Sequence, residues 1–133
     1  MKKGFKGNIE KLAVANKNFR TILYTGEHCQ LVLMSLRPGE EIGLETHDGI
    51  DQFFRVEKGE GKVVVNETEY AVVDGDSIIV PSGSAHNITN TSLVTPLQLY
   101  TVYSPPHHKD QLVHVTKADA MKDDPEFDGV TTE

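Results

Sequence analysis

The 133-residue chain holds a single cysteine, Cys29, and no tryptophan. One cysteine excludes an internal disulfide and a cysteine-built zinc site, and Cys29 itself reads as a small buried apolar residue. No apolar run approaches the ~18 residues that a membrane-spanning helix requires, so no membrane association is expected. The opening residues, Met1-Lys2-Lys3-Gly4-Phe5-Lys6, are basic, but no apolar stretch follows them. A secretory leader is therefore not expected, and a cytoplasmic protein is the simplest expectation.

Basic charge is also scarce. There are 13 Lys and Arg against 20 Asp and Glu, for a net charge of −7. Residues 1–20 carry six basic groups and one acidic, residues 21–116 five and thirteen, and residues 117–133 two and six. The body thus has the wrong sign to displace counterions from a nucleic acid, and no nucleic-acid partner is expected. The basic N-terminal end suits an acidic surface, its own body or a second subunit.

What is present is a globular composition, 38% apolar and 25% charged, at the length of one domain. Short β-branched and aromatic runs lie between Gly, Pro, Asn and Asp. They predict strands over 18–25, 28–36, 50–57, 62–66, 67–73, 77–80, 85–90 and 96–103. Strands at this spacing make an all-β antiparallel sandwich or barrel. Helix is expected only after about residue 116, with Thr116 as N-cap of a short helical turn over 117–122. Segment 8–16 is half apolar yet precedes the strands, and is expected to be an edge strand that a second copy covers in a homodimer. The expected organisation is an N-terminal segment 1–17, a barrel 18–105, and an extension 106–133 with a short helix and a polar tail.

Groups able to bind metal fall in two punctuated segments. The first reads Gly39, Glu45, His47, Gln52, Gly59; the second reads Gly75, Pro81, Gly83, His86, Asn90. Glu45 and His47 are two apart, so on an extended chain they share a face. His86 would come from a separate strand, as a site built by convergence requires.

The two patterns, G-x5-E-x-H-x4-Q-x6-G and G-x5-P-x-G-x2-H-x3-N, resemble the paired motifs of the cupin superfamily. The second matches throughout. The first matches in spacing but has Glu45 where the superfamily usually has His, and Gln52 where it usually has Glu. The chain is similar to small single-domain bacterial cupins of the group often labelled mannose-6-phosphate isomerase-like. That resemblance implies a double-stranded β-helix, or jelly roll, over roughly residues 18–105. It also implies a metal set of Glu45, His47, Gln52 and His86. Two imidazoles, one carboxylate and one amide oxygen suit one divalent transition metal per chain, from among Fe, Mn, Zn, Ni and Co. Gln52 is alternatively a hydrogen-bond partner of a bound water or substrate. Asn90 reads as structural.

The strand phase puts Phe54 and Val56 on the face of Gln52 and turns Arg55 away. With Met34 or Leu36 they would line an apolar cavity for a small-molecule ligand, with Tyr100 or Tyr103 supplying a hydroxyl. His107, His108 and His114 read as surface loop. The functional expectation is a metal-binding cupin, an enzyme acting on a small organic or sugar-like metabolite by Lewis-acid chemistry, of isomerase/lyase or dioxygenase type. Glu45 is its candidate base. The alternatives are a non-catalytic sugar-binding module and a vestigial structural cupin.

Overall fold

The computed structural model describes residues 1–133. Its elements, in order, are α1 (Ile9–Ala15), β1 (Arg20–Thr25), β2 (Gln30–Leu36), β3 (Asp51–Lys58), β4 (Glu60–Val65), β5 (Thr68–Val73), β6 (Ser77–Val80), β7 (His86–Asn90), β8 (Leu97–Ser104), β9 (Val113–His114) and α2 (Lys117–Lys122). Antiparallel pairing builds a six-stranded sheet in the order β6-β3-β8-β2-β1-β9 and a three-stranded sheet in the order β5-β4-β7. The result is the expected all-β jelly roll with a short C-terminal helix.

Alternation decides the faces. Along β3, Gln52, Phe54 and Val56 are buried, while Phe53 and Arg55 are only half-buried. Between the two sheets packs one cluster that includes Phe19, Ile22, Val32, Met34, Leu36, Phe54, Val56, Val63, Ile88, Leu99 and Tyr103. At the β3–β4 corner, Gly59 has φ +101°, and a Cβ there would sit 2.5 Å from the Pro96 carbonyl oxygen. Only glycine permits that approach. Asn90 closes the far end, its amide donating to the carbonyls of Leu36, Arg37 and Thr95 at 3.1, 3.1 and 2.9 Å.

Segment 8–16 departs from the sequence reading. It forms a helix rather than an edge strand, so helix is not confined to the region after residue 116. The Asn8 side chain caps it by accepting from Lys11 N at 3.0 Å. Ile9, Leu12, Ala13 and Asn16 follow the i, i+3, i+4, i+7 spacing of one helical face, and Ala13 is fully buried. The helix packs on its own barrel, where the Gln98 amide donates to Val14 O and Asn16 O at 2.8 Å each. The α2 helix is capped as expected, Thr116 and Asp119 forming a reciprocal capping box.

Cys29 is exposed rather than buried, because it lies in the turn joining β1 to β2, where Gly26 N bonds Cys29 O at 2.8 Å. The other correction lies at residues 105–114. His108 and His114 are 2% and 4% exposed, not surface loop, and His107 is half-buried. The buried Gln30 side chain draws this strap inward: its Oε1 accepts from His107 N and His108 N at 3.1 and 2.9 Å, and its Nε2 donates to His108 O at 2.7 Å.

Candidate metal centre

Glu45 and His86 face each other across an isolated antiparallel bridge. Glu45 N bonds His86 O, and His86 N bonds Glu45 O, both at 2.9 Å. This places a side chain from the loop before β3 beside one from β7. Gly83, at φ +79°, donates its N–H to His47 O at 3.1 Å and so ties the third residue to the same turn. One ligand atom from each of Glu45, His47 and His86 lies within 4.8 Å of the others. Two ligands on one ion at ~2.1 Å can stand at most about 4.2 Å apart, so the three groups are gathered on the scale of a metal site.

The donor chemistry fits a metal. His86 Nδ1 donates to Ser84 O at 2.9 Å, which leaves Nε2 unprotonated; that atom is buried and has no hydrogen-bond partner. Gln52 is 2% exposed, and its Oε1 is likewise buried and unpartnered while Nε2 donates to Thr101 Oγ1 at 3.0 Å. Buried lone pairs without partners are costly unless something electrophilic meets them. Glu45 Oε2 lies 3.2 Å from His47 Nε2. Burial works to raise the Glu45 carboxyl, but the His47 hydrogen bond and the charges of His47, Arg20 and His86 outweigh it and hold the group below the usual range.

Around the triad stands an imidazole-rich wall. The His47 ring centroid is 5.2 Å from that of His86, 4.3 Å from His107 and 5.8 Å from Tyr103, and Phe54 lies 6.3 Å from His86. Burial, with the neighbouring His108 and His47, pushes His107 down to about 4. Burial raises the Tyr103 phenol well above its ordinary value. A cleft of about 360 Å³ opens beside His47, lined by Thr46, Asp48, Ile50, Pro106, His107, Glu126 and Phe127. A smaller one, about 90 Å³, lies behind Glu45 and is bordered by Arg20, Lys117 and Asp124.

These cavities differ from the apolar one expected. Met34, Leu36, Phe54, Val56 and Tyr103 are packed in the core between the sheets. Tyr100 faces the other way, its ring 6.1 Å from Phe53, because Thr101 and Tyr103 occupy the inward phase of β8. Arg55 turns away as expected, pairing with Glu57 at 3.1 Å. The sequence reading passed over Arg20 and Asp124 and placed His107 and His108 in a surface loop. Arg20 carried a usable signal: it shares the strand phase of Ile22, and a lone cation on an apolar face demands a buried partner.

The cupin domain family profile matches residues 32–103. The Bacillus subtilis protein YrkC is 46% identical over 125 residues, covering 90% of this chain and 67% of its own. The mimivirus protein L612 is 38% identical over 104 residues, covering 76% of this chain and 65% of its own. The chain thus spans about two thirds of the length of these relatives. The crystal structure of BH2720 from Bacillus halodurans superposes with a TM-score of 0.89 at 43% identity, covering 91% of this chain and 96% of that one. Fold, motif residues and relatives agree, and the chain belongs to the cupin domain family.

Proposed function

We propose that this cupin binds one divalent transition metal through Glu45, His47 and His86, with Gln52 as fourth donor, and acts on a small organic acid or sugar-like metabolite. The observation that carries the reading is the buried, unpartnered His86 Nε2 beside Glu45 and His47, three donor groups within 4.8 Å. When bound, a divalent ion supplies Lewis acidity toward a ligand oxygen. The chain's residues do the rest. Ser84 O fixes the His86 tautomer, the Glu45–His86 bridge sets the spacing, and His107 and Pro106 border the entrance beside His47. Glu45, 31% exposed at its side chain, is the candidate base once it leaves the ion.

A small carboxylate is the preferred ligand class. An oxalate-binding protein of Thermotoga maritima is 34% identical over 58 residues, covering 44% of this chain and 48% of its own. A predicted oxalate decarboxylase structure from the same organism superposes with a TM-score of 0.55 at 30% identity, covering 57% of this chain and 65% of that one. The second reading, a module that binds such a ligand without turnover, draws on Gln52, a neutral amide where the superfamily usually has a carboxylate.

Elemental analysis of protein purified without added metal tests the site. About one ion per chain is expected, and none in the His47→Ala/His86→Ala double variant, where only a carboxylate and an amide remain. Equal metal content in that variant would overturn the assignment. Oxygen uptake, and consumption of oxalate or a sugar phosphate followed by NMR, then separate enzyme from binding module.

A further inference from the structure

Gln52 poses a question of orientation. An amide can offer a cation its oxygen or present its NH₂, and the two ends have nearly the same shape. Gln52 Nε2 donates to Thr101 Oγ1, but a hydroxyl both donates and accepts, so Thr101 by itself would tolerate either orientation. The residue directly across the β3–β8 pair is Tyr103, whose side chain shares the inward face with that of Gln52.

From Tyr103 a chain of polar groups runs through the buried His108 to Asp124, at the surface of the C-terminal extension. The hydroxyl lies 3.2 Å from His108 Nε2, His108 Nδ1 lies 3.0 Å from Asp124 Oδ1, and Asp124 Oδ2 lies 3.6 Å from the Arg20 guanidinium. The outer end dictates the direction of every bond. Arg20 is always cationic and donates only. Burial works to raise Asp124, but the hydrogen bond from His108, with the charge of Arg20, holds it below the usual range, so it stays an acceptor. His108 therefore carries its proton on Nδ1. Burial keeps that imidazole neutral, its value lowered from the ordinary one, so Nε2 accepts and the Tyr103 O–H donates to it. The Tyr103 oxygen then has only lone pairs to offer Gln52, so a bond between them uses the second amide N–H and leaves the amide oxygen over, in keeping with the unpartnered Oε1.

We propose that Asp124, paired with the Arg20 cation, sets the direction of a hydrogen-bond chain through His108 and Tyr103 that holds the Gln52 amide with its oxygen presented to the metal site, making the C-terminal extension a positioning element of that site. The proposal rests on the metal-centre reading above. Reversing the chain would present the NH₂ group and repel a cation.

Cobalt(II) is the probe, with affinity from titration and coordination from its d–d absorption. Tyr103→Phe removes the acceptor, and Asp124→Asn lets the chain run in either direction. Each should weaken Co(II) binding about tenfold or more and alter the absorption bands. In a Gln52→Glu background the carboxylate has two equivalent oxygens and needs no orienting, so the same changes should cost under about threefold. Equal losses in both backgrounds, or no loss in either, would overturn the proposal; Asp124→Asn, distant and nearly isosteric, serves if Tyr103→Phe does not fold. A metal-free readout stands beside this. In ¹⁵N NMR both Gln52 side-chain amide protons should exchange slowly in the wild type, and one should quicken in Tyr103→Phe. Unchanged exchange refutes the orientation. If the wild type takes up no cobalt, the metal reading fails, while the exchange rates still decide how the amide is held.

Discussion

At His86 the two ring nitrogens have different fates. One is spent on the Ser84 carbonyl, and the other is kept buried and free. Asn90, four residues on, has every polar atom committed. Its amide serves three carbonyls and its Oδ1 accepts from Ser92 N at 2.9 Å. The contrast separates a residue available to a ligand from one that holds the fold. Asn90→Ala should therefore destabilise the protein by about 2–3 kcal/mol in urea unfolding, through the buried carbonyls it abandons. Metal content per folded chain should not change; a loss of metal without a loss of stability would contradict the structural role. Cys29 gives a simpler check. Since it is exposed, one thiol per native chain should react with a thiol reagent as fast as in urea. Protection in the native state would return it to the interior.

The elements divide into those that make the barrel and those that tune it. The α1 helix belongs to the second kind. It is only seven residues long, too short to be stable alone, and is held by packing and by Gln98. Deleting residues 1–16 removes both acceptors of the buried Gln98 amide, which should cost about 2 kcal/mol or more. The check is the urea midpoint of the truncated chain. An unchanged midpoint would mean that the helix does not support the barrel. This also removes the argument for a homodimer built on an edge strand at 8–16. A homodimer remains our proposal, through another surface, and sedimentation equilibrium on the full and truncated chains tests it; a full chain sedimenting at 14.7 kDa refutes it. At the β3–β4 corner, Gly59→Ala places a methyl against the Pro96 carbonyl at positive φ. A loss of about 1–3 kcal/mol is expected in thermal unfolding, and a neutral result would mean that the corner relaxes.

At the scale of the molecule, the buried imidazoles and their carboxylate link stability to pH. His108 has its value lowered by burial. The unfolded chain therefore takes up its proton first as pH falls, and stability declines below the ordinary histidine value of 6.5. Asp124 has its value lowered from 3.8, so what it contributes is present above that pH and lost as pH falls further. Both act in the same direction. The metal-free protein should lose stability steadily from about pH 6.5 downward, with a second loss below about pH 4. Urea midpoints from pH 8 to about pH 3 measure this, and a flat profile, or one no shallower in a His108→Gln variant, would exclude the imidazole as its cause.

How much of this was legible beforehand depends on what each feature needs. Strands, turns and the capped α2 were readable because period-two alternation, Gly and Pro punctuation and a Thr116–Asp119 pair act locally. Glu45, His47, Gln52 and His86 were legible as candidates because the two motifs resemble those of cupins; alternation by itself joined only Glu45 with His47. The α1 helix was written in the 9, 12, 13, 16 spacing, but seven residues of marginal propensity needed the surface of β8 to decide between helix and strand. Arg20 lies far in sequence from Tyr103, His108 and Asp124, and no local rule joins the four. Their proximity exists only because Gln30 draws residues 107–108 onto the barrel and because α2 brings Asp124 back to Arg20. The sequence by itself determined an antiparallel β sandwich or barrel, since that follows from short-range pattern, and the resemblance of its two motifs to those of cupins pointed to the jelly roll and the candidate ligands. The tertiary structure decided the polarity of the hydrogen bonds behind Gln52, since direction in a chain of donors and acceptors is set by its ends, and those ends meet only in the folded molecule.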